Sequence, residues 1–270
     1  MKIGFLQYSP AFGDVQKTIA TIEGLRSRFS GAELLVLPEL CNSGYNFLSR
    51  TQARDFSESV ENSSFLTYLI DVCSQGCFHI VTGFNERDHD RLYNTAALVG
   101  PSGLVGLYRK LHLFQNEKAF FTPGDLGLPV FDIGKARIGM LICFDWIFPE
   151  AWRILSLKGA DVICHPSNLV LPDLAQRGVP AHALMNRVFT ITANRTGTER
   201  DLTFTGRSII CDTSGVVIAS ATKDEECVRM VDVDIATART KSITARNDIF
   251  ADRRPEEYSL LCEPVNIGDR

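Results

Sequence analysis

Three residues in this chain carry the means for acyl transfer: a thiol at Cys143, a carboxylate at Glu39 and an ammonium at Lys110. Cys143 closes the apolar run Arg137-Ile-Gly-Met-Leu-Ile-Cys143 and is followed by Phe144-Asp145-Trp146-Ile147-Phe148-Pro149-Glu150. A buried strand that ends on a thiol, with a helix opening a few residues later, holds a nucleophile at a sheet edge. The same turn aims backbone N–H groups at the reacting atom. Glu39 ends the run Glu33-Leu-Leu-Val-Leu-Pro-Glu39, where an apolar wall favours a base that shuttles protons near neutrality. Lys110 ends Leu104-Val-Gly-Leu-Tyr-Arg-Lys110, placed to favour a thiolate and to bind a developing oxyanion. Glu117 lies among Phe114, Phe120 and Phe121, which predicts a loop folded inward. A Cys–His dyad is the alternative, with His112 and His165 as its candidate partners.

Positioning these groups requires a layered fold. Residues 2–8 and 34–38 read as strands separated by a helix from Asp14 to about residue 29, and a second helix is expected from Ser64 to Gln75. His79-Ile-Val-Thr-Gly-Phe follows as a strand. Two apolar hairpins turn at Pro101-Ser102-Gly103 and at Thr213-Ser214-Gly215, and their likeness suggests an internal two-fold repeat. Between them come a helix from Pro149 to about Lys158, a strand at 161–164, a helix from Pro180 to Val188 and a strand at 189–193. A strand at 227–233, a short helix at 235–243 and a polar tail complete the chain. Strand–helix alternation mixed with hairpins implies an α/β fold with mixed sheets.

The chain has 270 residues, 45% hydrophobic and 22% charged, with a net charge of −4. Without a Gly/Ser- or Pro-rich linker, residues 1–270 read as one domain whose tail, from about 245, packs on the domain or on a neighbouring subunit. Basic residues are not clustered, which argues against nucleic-acid or anionic-membrane partners. No apolar stretch approaches the ~18 residues of a membrane span. The eight cysteines lack the paired spacing of a zinc site, and several lie in apolar runs. A cytoplasmic protein with reduced thiols and no metal is the consistent expectation.

At three motifs the chain resembles the nitrilase superfamily of carbon–nitrogen hydrolases. They are Leu37-Pro38-Glu39, Tyr108-Arg-Lys-Leu-His-Leu-Phe114 and Ile142-Cys-Phe-Asp-Trp-Ile-Phe-Pro-Glu150, with Glu117-Lys-Ala-Phe-Phe-Thr-Pro-Gly-Asp125 and Asp252-Arg-Arg-Pro-Glu-Glu-Tyr258 in support. The resemblance covers nearly the whole chain. It implies a four-layer α-β-β-α sandwich with two mixed sheets, a homodimer or larger homo-oligomer, and no cofactor. It also implies a Glu39–Lys110–Cys143 triad, a second glutamate at Glu117 that orients substrate and lysine, and an oxyanion N–H at Phe144. Asn168 matches a substrate-contacting position after the next strand. Tyr45, Phe114 and Trp146 are the further candidates for the substrate pocket. Cys-Phe-Asp-Trp followed by Phe-Pro-Glu is similar to amidase and N-carbamoyl-amine hydrolase branches. The expected reaction is hydrolysis of a small amide or N-carbamoyl amine through a cysteine thioester, with an aliphatic nitrile as the alternative substrate. A non-catalytic, family-shaped binding subunit is the other alternative.

Overall fold

A computed structural model describes residues 1–264. Two six-stranded mixed sheets pack face to face, and each carries a pair of helices on its outer side. In the first sheet, strands β1 (Lys2–Gln7), β2 (Leu34–Val36) and β3 (His79–Asp88) run parallel. On one side the strand Cys227–Asp232 pairs antiparallel with β1; on the other, β4 (Arg91–Gly100) and β5 (Gly103–Arg109) continue antiparallel. The second sheet repeats the plan. Strand β6 (Val130–Asp132) pairs antiparallel with β7 (Arg137–Met140); β7, β8 (Val162–Ser167) and β9 (Phe189–Asn194) run parallel; and the hairpin Ile209–Cys211/Val217–Ser220 completes it. Each sheet thus has one antiparallel edge strand, three parallel strands and an antiparallel pair. The two hairpins seen in the sequence occupy equivalent places, as the suggested repeat requires.

Side-chain alternation along the strands builds the layers. Ile3, Phe5, Leu34, Val36, Val81, Ala96 and Leu98 face the second sheet and share one core with Ile138, Met140, Val162 and Cys164. The intervening Leu6, Leu35, Ile80, Ala97 and Val99 face outward onto Ile22, Leu25, Phe65, Leu66, Leu69 and Val72. Those partners come from helices Val15–Leu25 and Ser64–Gly76. Asp14 caps the first of these helices by accepting from Lys17 N at 2.9 Å, and Ser63 caps the second by accepting from Leu66 N at 2.9 Å. Helices Pro149–Leu157 and Leu174–Asn186 cover the second sheet, with Trp152, Leu155, Val179 and Ala183 fully buried.

Several elements differ from the sequence reading; the strand expected to close on Cys143, for one, ends at Met140. Strand β3 runs on to Asp88 and forms a hairpin with β4; this turn uses His89 at φ +53° rather than a glycine, so the usual signal is missing. The helix expected to open at Pro180 instead starts at Leu174 and passes through the proline. Burial of Ala175, Val179 and Ala183 outweighs the one backbone bond that Pro180 removes. The helix expected over 235–243 is limited to Ala236–Arg239. Within the tail, Ser242–Thr244 and Asn247–Asp248 pair as a short ladder. The Phe250 ring lies 5.4 Å from the Arg153 guanidinium carbon, against the helix Pro149–Leu157.

Gly83 in β3 has a structural duty tied to Glu39. The segment after β2 continues along β3, with Leu37 N donating to Val81 O, Gly83 N to Pro38 O and Cys41 N to Gly83 O at 2.8, 2.9 and 3.1 Å. A Cβ at Gly83 would stand 2.3 Å from Glu39 Cα and 2.4 Å from Leu40 N, backbone atoms that cannot swing away. Gly83→Ala is therefore expected to lower unfolding free energy by about 1–3 kcal/mol, read from urea denaturation. An unchanged midpoint would mean that the two segments are not in this contact.

Candidate active site

Three chain segments that leave the ends of β2, β5 and β7 meet beside the sheets. Each has a non-glycine residue in the left-handed region: Leu40 at φ +50°, Gln115 at +43° and Cys143 itself at +43°. Such strain persists only where surrounding contacts fix it, and it gathers at functional sites.

Lys110 lies at the centre. Its Nζ is 2.7 Å from Glu39 Oε1 and 2.8 Å from Glu117 Oε1, with all three side chains at most 4% exposed. The Lys110 backbone is held on both sides: its N–H donates to Asn94 O at 2.8 Å and its carbonyl accepts from Gly124 N at 2.9 Å. A Cβ on Gly124 would be 2.0 Å from Arg109 O, which accounts for the glycine. One residue earlier, Arg109 pairs with Glu86, Asp88 and Asp125 and stacks on Tyr93 at 3.7 Å. That network anchors the end of β5.

Glu117 opens the short helix Glu117–Phe120. Its Oε1 also accepts from Tyr45 OH at 2.8 Å, and its Oε2 from Phe114 N at 3.0 Å. Glu39 Oε1 accepts additionally from Asn94 Nδ2 at 2.6 Å, and the Glu39 carbonyl accepts from Asn168 Nδ2 at 3.0 Å. Glu39 Oε2 and Asn168 Oδ1 are buried and have no hydrogen-bond partner among the described residues. Asn168 follows β8 as Glu39 follows β2, the middle parallel strand of each sheet.

The turn at Cys143 is fixed by two groups. The buried Asp145 carboxylate accepts from Ile142 N at 2.9 Å, Tyr108 OH at 2.7 Å, His112 N at 3.2 Å and His112 Nδ1 at 2.7 Å. His165 Nε2 donates to the Cys143 carbonyl at 2.8 Å, while its Nδ1 accepts from Thr192 Oγ1 at 3.1 Å. Both candidate dyad histidines are thereby engaged away from the thiol: His112 on Asp145, stacked 3.6 Å from the Phe148 ring, and His165 on main chain.

The electrostatics follow from burial. Desolvation opposes the charge on Lys110, but Glu117 and Glu39 together hold its pKa above the usual lysine value. The Cys143 pKa is raised, first by burial and then by Glu39, with Lys110 pulling the other way. The sequence reading has Lys110 favouring the thiolate; here that pull is outweighed, and the resting sulfur keeps its proton. Burial likewise raises Glu117, helped by Glu39 and opposed by Lys110. One ammonium between two carboxylates next to a neutral thiol can move a proton off sulfur only if a carboxylate takes it.

Of the positions expected from sequence, Glu39, Lys110 and Glu117 are joined by direct hydrogen bonds, and Cys143 feels the charge of all three. Tyr45 and Asn168 touch the cluster through Glu117 and Glu39. The Phe114 ring packs on Phe144 with centroids 5.0 Å apart. The Trp146 ring packs against helix Leu174–Asn186, where a Cβ on Gly178 would meet it at 2.6 Å. No hydrogen bond or ring contact among the described residues joins Trp146 to the cluster. Sequence reasoning missed Asn94, Tyr108 and the anchoring roles of Asp145 and His165. The available signal is a polar residue within an otherwise apolar strand, as Asn94 and His165 are.

Residues 2–241 match the carbon-nitrogen hydrolase family, and the chain belongs to that family and is an enzyme. It is 46% identical to a protein named nitrilase from Pyrococcus abyssi, over 96% of this chain and 99% of the relative. An N-carbamoylputrescine amidase of Solanum lycopersicum is 30% identical over 92% of this chain and 90% of its own. The crystal structure of an amidase from Nesterenkonia sp. superposes with a TM-score of 0.80 at 25% identity, covering 97% and 96% of the two chains.

Burial depresses the His165 pKa from 6.5 to about 4, so the folded protein holds this ring neutral. The unfolded chain binds the extra proton between those values, and the stability from neutral His165 is complete above about pH 6.5 and lost as pH falls toward 4. Acidification through that window is expected to cost wild type roughly 3 kcal/mol more than His165→Gln in urea unfolding. Equal losses would show that His165 is not held neutral.

Proposed function

We propose that this hydrolase cleaves the C–N bond of a small primary amide or N-carbamoyl amine through a thioester on Cys143. The observation that carries this reading is the Glu39 carboxylate: Oε1 is occupied by Lys110 and Asn94, while Oε2 is buried without a protein donor. Such an oxygen is suited to accept the thiol proton. As the sulfur attacks the carbonyl carbon, Lys110 and the Phe144 N–H stabilise the oxyanion; a single donor of this kind contributes ~3 kcal/mol. Collapse of the adduct breaks the C–N bond, the proton on Glu39 passes to the nitrogen, and ammonia or amine departs. Glu39 then takes a proton from water as the oxygen attacks the thioester, and that proton returns to sulfur as the acid leaves. Glu117 and Tyr45 hold Lys110 in place throughout.

The two unpartnered acceptors, Glu39 Oε2 and Asn168 Oδ1, favour a group that brings N–H donors, as an amide or ureido NH₂ does. The relative named nitrilase supports the second reading, an aliphatic nitrile. There the adduct would be a thioimidate on the same sulfur, with Glu39 returning the proton to the nitrile nitrogen.

Ammonia release from a primary amide, an N-carbamoyl amine and an aliphatic nitrile of matched chain length separates these readings. The amide or carbamoyl compound is expected to turn over fastest, and a clear preference for the nitrile would reverse the assignment. Cys143→Ala should lose detectable turnover while unfolding like wild type, and intact-mass analysis of wild type with substrate should show an acyl adduct. Full activity in Cys143→Ala would end the proposal.

A further inference from the structure

We infer that Asn94 is a positioning residue that, together with Lys110, occupies Glu39 Oε1 and thereby commits Oε2 to every proton transfer of the cycle. The inference rests on the reading of Cys143 as nucleophile and Glu39 as base. It assigns the base to one oxygen and gives a residue outside the expected triad a share in the chemistry.

The β4–β5 register is the reason. Thr95 pairs with Arg109, so Asn94 lies directly across from Lys110, the next residue along, and the Lys110 N–H bonds to the Asn94 carbonyl at 2.8 Å. Residues opposite one another in an antiparallel pair project to the same face. Both side chains therefore reach toward the segment after β2, and both donate to a single oxygen. Asn94 Nδ2 is 2.6 Å and Lys110 Nζ 2.7 Å from Glu39 Oε1. Asn94 is 1% exposed and cannot exchange this bond for water.

A carboxylate with two donors on one oxygen loses both when it turns part-way about its last bond. Its second oxygen is then fixed in direction. The other titratable groups that act on Glu39 or are acted on by it are Cys143, Tyr45, Cys41 and, beyond Lys110, Glu117. None of these donates to Glu39 Oε2. In each half of the cycle Oε2 first receives a proton, from Cys143 sulfur or from water. It then returns that proton, to the departing nitrogen or to the sulfur, so carboxylate and thiol are restored. Without Asn94 the Lys110 bond alone would restrain the carboxylate, and proton transfer would be misaimed while substrate binding was little affected.

Steady-state kinetics with the best substrate of the panel above tests this in Asn94→Ala and Asn94→Asp, beside wild type and Cys143→Ala. Asn94→Ala should lower kcat by about 10- to 100-fold with KM changed less than about threefold. Asn94→Asp should be worse near neutrality, because it sets a carboxylate without an N–H against Glu39. Its rate relative to wild type should rise as the pH falls and the new carboxyl gains a proton to donate. A residue needed only for packing would show no such acid recovery. Wild-type kcat in Asn94→Ala overturns the inference, and so does an Asn94→Asp variant whose activity relative to wild type is flat with pH. If Asn94→Ala fails to fold, the pH profile of the near-isosteric Asn94→Asp decides alone. Retained turnover in Cys143→Ala would instead remove the nucleophile on which this inference stands, so the two failures are distinguishable.

Discussion

A single buried ammonium shared by two buried carboxylates governs this molecule. Lys110, Glu39 and Glu117 are removed from water almost completely, at a cost that only close pairing can offset. Loss of Lys110 would leave two carboxylates facing each other in an apolar wall with no counter-charge. The surrounding structure reads as the means of keeping the three in register. Gly83 lets the Glu39 segment lie against β3, Gly124 lets the chain pass behind Lys110, and the Arg109 network fixes the end of β5. Tyr45 OH and the Phe114 N–H also donate to Glu117, one to each oxygen.

The cluster sets two carboxyl groups against one amine, and this decides how the sulfur can act. Burial and Glu39 disfavour a standing thiolate more than Lys110 favours it. On this account the nucleophile is made only as its proton leaves for Glu39, and Lys110 is released from pairing with a thiolate to meet the oxyanion. A resting thiol also limits side reactions of the enzyme, since the thiolate is the reactive form. The turn that presents Cys143 is held by Asp145 and His165, which touch its backbone and flanks rather than its sulfur.

Much of this was legible in the sequence because strand ends are legible. Apolar runs that terminate on Glu39, Lys110 and Cys143 mark where buried strands deliver polar groups, and the motifs around them single out groups that the structure brings together. The likeness of the two hairpins carried the repeat that relates the sheets. Register was not legible: that Asn94 faces Lys110 depends on the β4–β5 pairing, which composition does not encode. The β3–β4 hairpin escaped because its turn uses His89 in place of glycine, and the helix through Pro180 because packing overrode a strong local signal. Asp145 and Pro149 marked the element boundary, but three of the four hydrogen bonds on Asp145 come from Tyr108 and His112, distant in the chain.

The most direct test of the central claim is the titration of the Cys143 sulfur itself. Ultraviolet thiolate absorbance, taken as the difference from Cys143→Ala, reports that group alone among the eight cysteines. The account predicts a protonated Cys143 at neutral pH in wild type. In Glu39→Gln, where the repelling carboxylate is gone and Lys110 remains, the titration should shift to clearly lower pH. A Cys143 titration identical in wild type and Glu39→Gln would contradict it, because it would mean that carboxylate and sulfur do not share one buried site.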